Sequence, residues 1–334
     1  MASLKGARDL AAMMVPGQKR GGGSKPAERW GIILAGGDGT RLRALTRRIA
    51  GDDRPKQFCR ILGGETLLDQ TRRRVGLAVP AEQTLVVVTR PHQGFYQPLL
   101  ETVPPRNILA QPQNRGTAPA ILYALLRLAN AAPKAPVAIF PFDHYVSNDR
   151  HLMAHVEAAF QVVAARPETV VLLGIAPGGP ETGYGWIEPA DPITAEEPGT
   201  VSRVRRFWEK PSPEQTRRLY AQGCLWNSFV MVGSVAAFLE LIAGALRGLY
   251  EAFDDVRALL GSPAEAAALE ALYAELPESN FSHQVLAARP SSLAVLPVLG
   301  VRWSDWGEPS RVLGTLADMG VRPRWAESPV LVPA

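Results

Sequence analysis

Cysteine is scarce in this chain, which has two cysteines, Cys59 and Cys224, among 334 residues and no C-x-x-C spacing. That count argues against a disulfide framework or a four-thiolate zinc site and favours a reducing cytoplasm. No run approaches the roughly 18 consecutive apolar residues of a transmembrane helix, so the sequence predicts no membrane span. The order of a secretory signal is missing too, because Lys19 and Arg20 follow the weakly apolar LAAMMV piece.

The excess of positive charge is also small. The formal net charge is +4 and the pI is near 9.2. Such an excess suits a small polyanionic ligand, and it is too small and too evenly spread to indicate nucleic acid. Hydrophobic residues make up 46% of the chain, which predicts a folded protein with a large core. The length allows one large domain or two ordinary ones.

Two well-known phosphate-binding motifs are missing from the glycine-rich stretch LAGGDGTRL at residues 34–42. It fits neither G-x-G-x-x-G, the dinucleotide fingerprint, nor the P-loop G-x-x-x-x-G-K-[ST]. The chain also lacks a hexapeptide repeat of the kind that builds a left-handed β-helix. On its own, the stretch is interpreted equally well as a glycine turn or as a phosphate cradle.

Short apolar runs alternate with helical patterns from Trp30 onward. The predicted strands cover 30–37, 84–90, 135–143 and 169–175, and the predicted helices cover 66–77, 117–131 and 150–165. This alternation predicts an α/β fold with a Rossmann-like, mostly parallel sheet and helices on both faces. Beyond residue 200 the prediction is a strand at 201–211, a short helix at 213–222, a strand at 228–233, helices over 234–275 and a last strand at 293–307.

The composition divides the chain into three parts. Residues 1–27 end in GQKRGGGSKPAE and are predicted to be a disordered leader. Residues 28–325 are predicted to form the folded domain, and residues 326–334 a short tail.

Two cations follow the glycine stretch. Arg41 lies two residues past Gly39, and Lys56 follows Pro55 after the insert IAGDD. Glycines let backbone N–H groups approach a phosphate closely, and cations complement its charge. GG-x-GTRL followed by PKQF resembles the signature of the sugar-1-phosphate nucleotidyltransferases, and PKQF is similar to the mannose-1-phosphate guanylyltransferase branch. Here Ala44 replaces the usual proline, and the gap before PKQF is longer.

Six further motifs follow in the family's order. They are QPQNRGTAPAI (111–121), FPFDHYV (140–146), ETGYGWIE (181–188), WEKP (208–211), LWNSFVMVGS (225–234) and RWSDWGEP (302–309). They resemble the family's E-P-x-G-R-N-T-A-P-A-I, P-A-D-H, T-G-Y-G-Y-I, E-K-P, W-N-S-G-M-F and W-x-D-x-G. Three departures stand out: Gln111 replaces Glu, Asn114 and Gly116 exchange places, and Phe229 replaces glycine. One such motif alone would be weak evidence for the resemblance, whereas the whole set in the family's order is strong evidence.

The resemblance implies a GT-A-like nucleotidyltransferase fold over about residues 30–310, with a helical sugar-side insertion at about 234–280. About 29 residues follow Asp305, so a C-terminal β-helix is not expected. The implied activity is Mg²⁺-dependent transfer of a nucleotidyl group from GTP to mannose-1-phosphate, which yields GDP-mannose, a precursor in polysaccharide biosynthesis, and pyrophosphate.

The resemblance also implies a role for each matching residue. The nucleotide-binding residues are Leu34, Ala35, Gly36, Gly37, Gly39, Thr40, Arg41, Lys56, Gln111, Gly116 and Thr117. The catalytic residues are Arg41, Lys56 and Asp143, and the magnesium ligands are Asp143 and Asp305. The sugar phosphate is expected at Gly185, Glu209, Lys210 and Asn227.

Alternatives remain open at this point. The departures at Phe229 and Gln111 favour a different acceptor, such as a heptose phosphate or glucose-1-phosphate, or a different nucleotide. A catalytically silent, nucleotide-sugar-binding regulatory subunit is a second alternative, and a metal-dependent glycosyltransferase is a weaker third. The expected partners are GTP and the sugar-1-phosphate, without nucleic acid or membrane, and a homodimer is left open.

Overall fold

The structure, a computed structural model, describes residues 28–193 and 200–327. The predicted leader at 1–27 lies outside these ranges, as do residues 328–334 of the predicted tail.

Nine strands of the described chain form one sheet in the order β3-β2-β1-β4-β9-β6-β10-β8-β7, and two more form a small separate sheet. The strands are β1 Trp30–Leu34, β2 Thr84–Thr89, β3 Ile108–Gln111, β4 Pro136–Pro141, β5 Tyr145–Val146, β6 Val170–Ile175, β7 Gly185–Pro192, β8 Ser202–Glu209, β9 Leu225–Ser234, β10 Leu293–Val298 and β11 Trp303–Ser304.

The described helices connect these strands. They are α1 Arg43–Ala50, α2 Leu67–Val75, α3 Gln93–Tyr96, α4 Thr117–Ala129, α5 Asp149–Ala165, α6 Pro213–Ala221, α7 Val235–Ala245, α8 Arg247–Asp254, α9 Glu265–Glu275, α10 Pro309–Asp318 and α11 Arg324–Glu327.

The α/β fold class is confirmed, and the sheet combines parallel and antiparallel pairs. Strand β1 pairs in parallel with β2 and β4, β2 pairs in parallel with β3, and β6 pairs in parallel with β10. Strand β9 runs antiparallel between β4 and β6, and β7 and β8 extend one edge in antiparallel pairing. The parallel pairs come mainly from the first half of the chain, because helices there carry the chain back between strands.

Apolar side chains fill both faces of the sheet. On one face they pack under α4, α7, α8 and α9. On the other they pack under α1, α2, α5 and α10. Strands covered on both faces are apolar at nearly every position, and this produces the uninterrupted runs seen in β1, β2, β4 and β6.

The segment between the two predicted cations forms a helix, which the sequence did not predict. Helix α1 covers Arg43–Ala50 and ends at Gly51, whose left-handed φ of 79° is typical of glycine after a helix. Beyond it, both guanidinium Nε and NH2 of Arg54 donate to the Asp52 carboxylate, at 2.8 and 2.7 Å. The insert IAGDD therefore forms the end of α1 and a hydrogen-bonded turn that leads to Lys56.

Neither cysteine is a reactive group in this fold. Cys59 and Cys224 are free and buried, and burial raises the pKa of their thiols to about 12 and about 11, respectively. Within residues 28–193 and 200–327, no helix is both long and apolar enough to cross a membrane.

Candidate active site

The glycine loop at residues 35–39 is held from two sides. Gln57, fully buried, donates from Nε2 to the carbonyl oxygens of Ala35 (3.0 Å) and Gly37 (2.7 Å). Thr89, at the end of β2, donates from Oγ1 to the carbonyl oxygen of Gly36 at 2.6 Å. Since the carbonyl groups point into the protein, the loop has a fixed shape at the carboxyl end of β1, where open α/β sheets bind ligands.

One side of the glycine loop is packed and the other is open. A Cβ atom on Gly36 would lie 2.7 Å from Nε2 of Gln111 and 2.8 Å from Oγ1 of Thr89, so any larger residue there would have to displace these two side chains. A Cβ on Gly37 would meet nothing within 4 Å. Gly39 has a φ of 62° and precedes the 3₁₀ turn Thr40–Leu42. A backbone loop with an open face of this kind is suited to an anion.

Arg41 lies at the rim of the site. Its side chain is 57% exposed, and its NH1 is 3.7 Å from Oε1 of Glu308. It is therefore free to move toward a charged ligand at little cost, because an exposed pair of this length is weak.

Lys56 forms a buried ion pair with Asp143. The ammonium contacts Oδ2 of Asp143 and also donates to the carbonyl oxygen of Trp306 at 3.1 Å. Burial alone would raise the pKa of the Asp143 carboxyl, but the Lys56 charge and hydrogen bond hold it below its ordinary value. The structure thus joins two of the three predicted catalytic residues directly.

The small second sheet brings Asp305 to the same end of the fold as Asp143. Strand β5 follows Asp143 and pairs antiparallel with β11, which directly precedes Asp305, so that Tyr145 lies opposite Ser304. This register places the two predicted magnesium ligands at the same end of the ladder. The sequence separates them by more than half of the domain.

Asp305 has its own cationic partner, Arg311. Its two oxygens accept from NH1 of Arg311 at 2.8 and 2.9 Å, and its Oδ1 also accepts from the backbone N–H of Gly307 at 2.9 Å. Arg311 belongs to no motif recognised in the sequence. It lies in the first turn of α10, and only the tertiary contact reveals its link to the site.

His144 lies beside Asp143, with Nε2 3.8 Å from Oδ1 of the carboxylate, and it is neutral. Burial lowers the pKa of its imidazole to about 4, and the charges of Asp143 and Asp305 offset only part of that effect. Its ring packs edge-on against Trp303, with centroids 4.9 Å apart. A neutral imidazole adds no positive charge beside the two carboxylates.

The two carboxylates fit a hard divalent ion such as Mg²⁺, which prefers oxygen ligands. They do not form a complete site, because no cluster of three or more His, Cys, Asp or Glu residues suited to a metal occurs in the described ranges. The other ligands would have to be phosphate oxygens and waters, as is usual for magnesium at substrate phosphates.

The loop at residues 111–117 is tied to the glycine loop. Asn114 donates from Nδ2 to Asp38 at 2.9 Å, and its Oδ1 accepts from the backbone N–H of Gly116. Gln111 accepts from the hydroxyl of Tyr273 at 3.0 Å. Tyr273 belongs to α9, so this helix of the predicted sugar-side insertion lies on the side of the predicted nucleotide loop.

Gly116 and Thr117 begin α4 beneath a covering segment. Gly116 has φ 89° and ψ −174°, a conformation that is almost confined to glycine. The hydroxyl of Thr117 accepts from the backbone N–H of Phe281 at 2.8 Å, and the N–H of Ala118 donates to the carbonyl of Ser279 at 3.1 Å. One backbone N–H of the first turn of α4, that of Ala118, is thus already bonded within the protein.

The predicted sugar residues converge on the far part of the sheet. Gly185 pairs with Glu209 across β7 and β8. A Cβ on Gly185 would lie 3.1 Å from Oε2 of Glu209 and 3.4 Å from Cβ of Asn227. Burial raises the pKa of the Glu209 carboxyl, and the adjacent Lys210 opposes that rise only in part. The carboxylate of Glu209 and the side chain of Asn227 thus lie on the same side of Gly185.

Three residues other than glycine have a positive φ in the described chain: Lys210 (45°), Phe229 (58°) and Trp306 (45°). Each lies in one of the motifs named above, directly after Glu209, Ser228 and Asp305. Such backbone strain persists only where the surrounding structure enforces it, and it concentrates at functional sites. The strained positions therefore lie next to the predicted sugar residue Glu209 and the predicted metal ligand Asp305, and in the motif that contains Asn227.

Comparisons with known proteins identify the family of this chain. A family model described as nucleotidyl transferase matches residues 30–313. That match covers most of the chain, which therefore belongs to the nucleotidyl transferase family.

Named relatives point to one branch of the family. The chain is 31% identical over 285 residues to the alginate biosynthesis protein AlgA of Pseudomonas putida, a match covering 83% of this chain and 56% of the relative. It is 29% identical over 287 residues to a mannose-1-phosphate guanylyltransferase of Escherichia coli, covering 83% and 57%. The chain thus spans a little over half the length of these relatives.

Solved structures support the fold. A Thermus thermophilus protein described as mannose-1-phosphate geranyltransferase superposes with a TM-score of 0.72 at 30% identity, covering 84% of this chain and 76% of that one. A putative glucose-1-phosphate thymidylyltransferase of Bacillus anthracis superposes with a TM-score of 0.52 at 14% identity, covering 90% and 97%. The second likeness concerns the fold alone.

Proposed function

We propose that this protein transfers a guanylyl group from GTP to mannose-1-phosphate and releases pyrophosphate, with Mg²⁺ as cofactor. The observation that carries the proposal is the buried Lys56–Asp143 ion pair, which lies beside Asp305 and close to the open glycine loop. Cation, carboxylates and backbone donors then meet at the carboxyl ends of β1 and β4, in a chain of the nucleotidyl transferase family.

The chemistry needs positioning and charge neutralisation rather than a covalent intermediate. An oxygen of the sugar phosphate attacks the α-phosphorus of GTP in line, and the bond to pyrophosphate breaks. The glycine-loop amides and Arg41 bind the triphosphate, and Lys56 stabilises the charge that develops at the α-phosphorus. Asp143 and Asp305 would hold Mg²⁺, which supplies Lewis-acid neutralisation of the phosphate charge.

On the acceptor side, the proposal assigns the sugar hydroxyls to Glu209 and Asn227 and the backbone of Gly185. Lys210 pairs with the attacking phosphate, because an ammonium next to a buried carboxylate can hold phosphate while the carboxylate holds hydroxyls. The convergence of these residues at β7, β8 and β9 supports this division.

Pyrophosphate release tests the proposed function. We expect release with GTP and mannose-1-phosphate in the presence of Mg²⁺ and none after chelation. A panel of nucleoside triphosphates against sugar-1-phosphates then ranks the substrates. Absence of turnover with every pair would reject the enzyme proposal and support a silent nucleotide-sugar-binding subunit.

A different acceptor sugar is the second candidate, and Phe229 is the observation that favours it. Its backbone φ of 58° suits glycine, yet a ring occupies the position and packs edge-on against Phe281 at 6.3 Å. The N–H of Phe281 is bound to Thr117, and the N–H of Phe229 is bound to Asn227. Through its contact with Phe281, Phe229 therefore connects the predicted sugar residue Asn227 with the predicted nucleotide residue Thr117.

Replacing Phe229 with glycine is expected to widen acceptor preference. We expect the ratio of kcat/KM for a larger sugar-1-phosphate to that for mannose-1-phosphate to rise about tenfold, the size of effect typical of a pocket that gains a small apolar volume. The substrate panel measures this ratio. Phe229→Leu is the control, because it keeps bulk at the same strained backbone position, and an equal shift in both variants would contradict a role for the ring.

The raised pKa of Glu209 predicts a pH dependence of acceptor binding. A carboxyl with a raised pKa takes up its proton at a pH above the ordinary range of glutamate, and the protonated form loses acceptor capacity for sugar hydroxyls. We therefore expect KM for the sugar phosphate to rise as the pH falls through that range, with little change in KM for GTP. Glu209→Gln should raise KM for the sugar phosphate at all pH values and remove its pH dependence. If the Glu209→Gln variant kept that pH dependence, the result would contradict the assignment of Glu209 to the sugar hydroxyls.

A further inference from the structure

The position of Arg311 is built by several groups. Besides its two contacts with Asp305, its NH2 lies 3.3 Å from Oε1 of Glu181, and its guanidinium lies over the ring of Tyr184 at 4.3 Å. A Cβ on Gly183 would overlap NH2 of Arg311, so the glycine at that position leaves the room that the guanidinium fills. The side chain is only 12% exposed.

Each carboxylate proposed as a metal ligand is therefore already matched by one cation. Lys56 lies on Asp143, and Arg311 lies on Asp305. A divalent ion that enters the free protein meets two positive charges on the same two carboxylates. The side chains of Asp143 and Asp305 are only 18% and 23% exposed, so repulsion between nearby like charges is strong enough to weaken binding of the ion by about tenfold or more.

We propose that Arg311 is an internal counter-cation of Asp305 that keeps the affinity of the free protein for divalent metal low. Lys56 and Arg311 neutralise the two carboxylates, so further negative charge is needed to bind a divalent ion. The phosphates of the nucleotide supply that charge, and metal and nucleotide are therefore bound together. Arg311 acts through Asp305 and is a positioning residue. This inference rests on the assignment of Asp305 under the proposed function.

Binding of Mn²⁺ to the full chain, measured by electron paramagnetic resonance without nucleotide, tests the inference. We expect Arg311→Gln, which keeps a hydrogen-bond donor but no charge, to bind Mn²⁺ at least about tenfold more tightly than the unaltered protein, from the Coulomb energies of nearby charges. Arg311→Lys keeps the charge and should bind as weakly as the unaltered protein. Arg247→Met, on the exposed Arg247–Glu251 pair of α8, is the matched control and should change nothing.

Thermal unfolding of each variant establishes that it is folded. Should Arg311→Gln not fold, the unaltered protein supplies the second measurement, in which water-proton relaxation compares bound Mn²⁺ with and without inorganic pyrophosphate. We expect the unaltered protein to bind Mn²⁺ at least about tenfold more tightly with pyrophosphate than without it, from the same Coulomb energies. Equal Mn²⁺ affinity of Arg311→Gln and the unaltered protein, or equal Mn²⁺ affinity with and without pyrophosphate, would overturn the inference. Neither measurement needs turnover, so a failure of the proposed activity in the substrate panel is a separate result.

Discussion

Asp143→Asn is expected to lower kcat by about 10²–10³-fold, the usual cost of removing one preorganised charge from a transition-state site. The variant also leaves the buried Lys56 ammonium without its counter-charge. The free energy of unfolding should fall by about 1–3 kcal/mol, because the amide still accepts a hydrogen bond but carries no charge. Steady-state pyrophosphate release and chemical denaturation measure the two effects.

A double variant separates catalysis from folding. Lys56→Met combined with Asp143→Asn removes both charges, and neutral replacements of a buried ion pair are often tolerated or stabilising. We expect the double variant to be more stable than Asp143→Asn and no more active. Asp318→Asn, on the exposed end of α10, serves as the control and should leave both quantities unchanged. Full activity of Asp143→Asn would contradict its catalytic role.

Gly116→Ala is expected to have the largest effect on stability. Gly116 has a backbone conformation that costs other residues about 1–3 kcal/mol. In addition, the new Cβ would overlap the carbonyl oxygen of Ser279, and this oxygen belongs to the backbone and cannot turn away. The two costs add, so we expect the free energy of unfolding to fall by about 3 kcal/mol or more.

Gly63→Ala is the matched control for Gly116→Ala. Gly63 also has a positive φ, 72°, but a Cβ there would meet nothing within 4 Å. Its substitution should cost only the left-handed strain, about 1–2 kcal/mol. Chemical denaturation of both variants measures the difference, to which the contact with Ser279 is expected to be the main contribution. Equal destabilisation would show that the segment at 279–281 yields to the methyl group.

Some of the fold was predictable because its cause is local. Strands β1, β2, β4 and β6 are buried on both faces, and the resulting apolar runs can be read without a structure. Helix α1 was missed because RALTRRIA is short and half polar, so its apolar stripe is a weak signal. The single predicted strand at 293–307 is two strands, β10 and β11, which belong to different sheets.

For the candidate site, the residue types and their order along the chain follow from the sequence. The glycine loop, Lys56, Asp143 and Asp305 all lie in motifs that are legible along the chain. Two further facts are visible only in the folded structure: Lys56 pairs with Asp143, and Asp143 and Asp305 lie at the same end of the β5–β11 ladder. Strands β5 and β11 join distant segments through backbone hydrogen bonds, and no local sequence pattern records which segments meet.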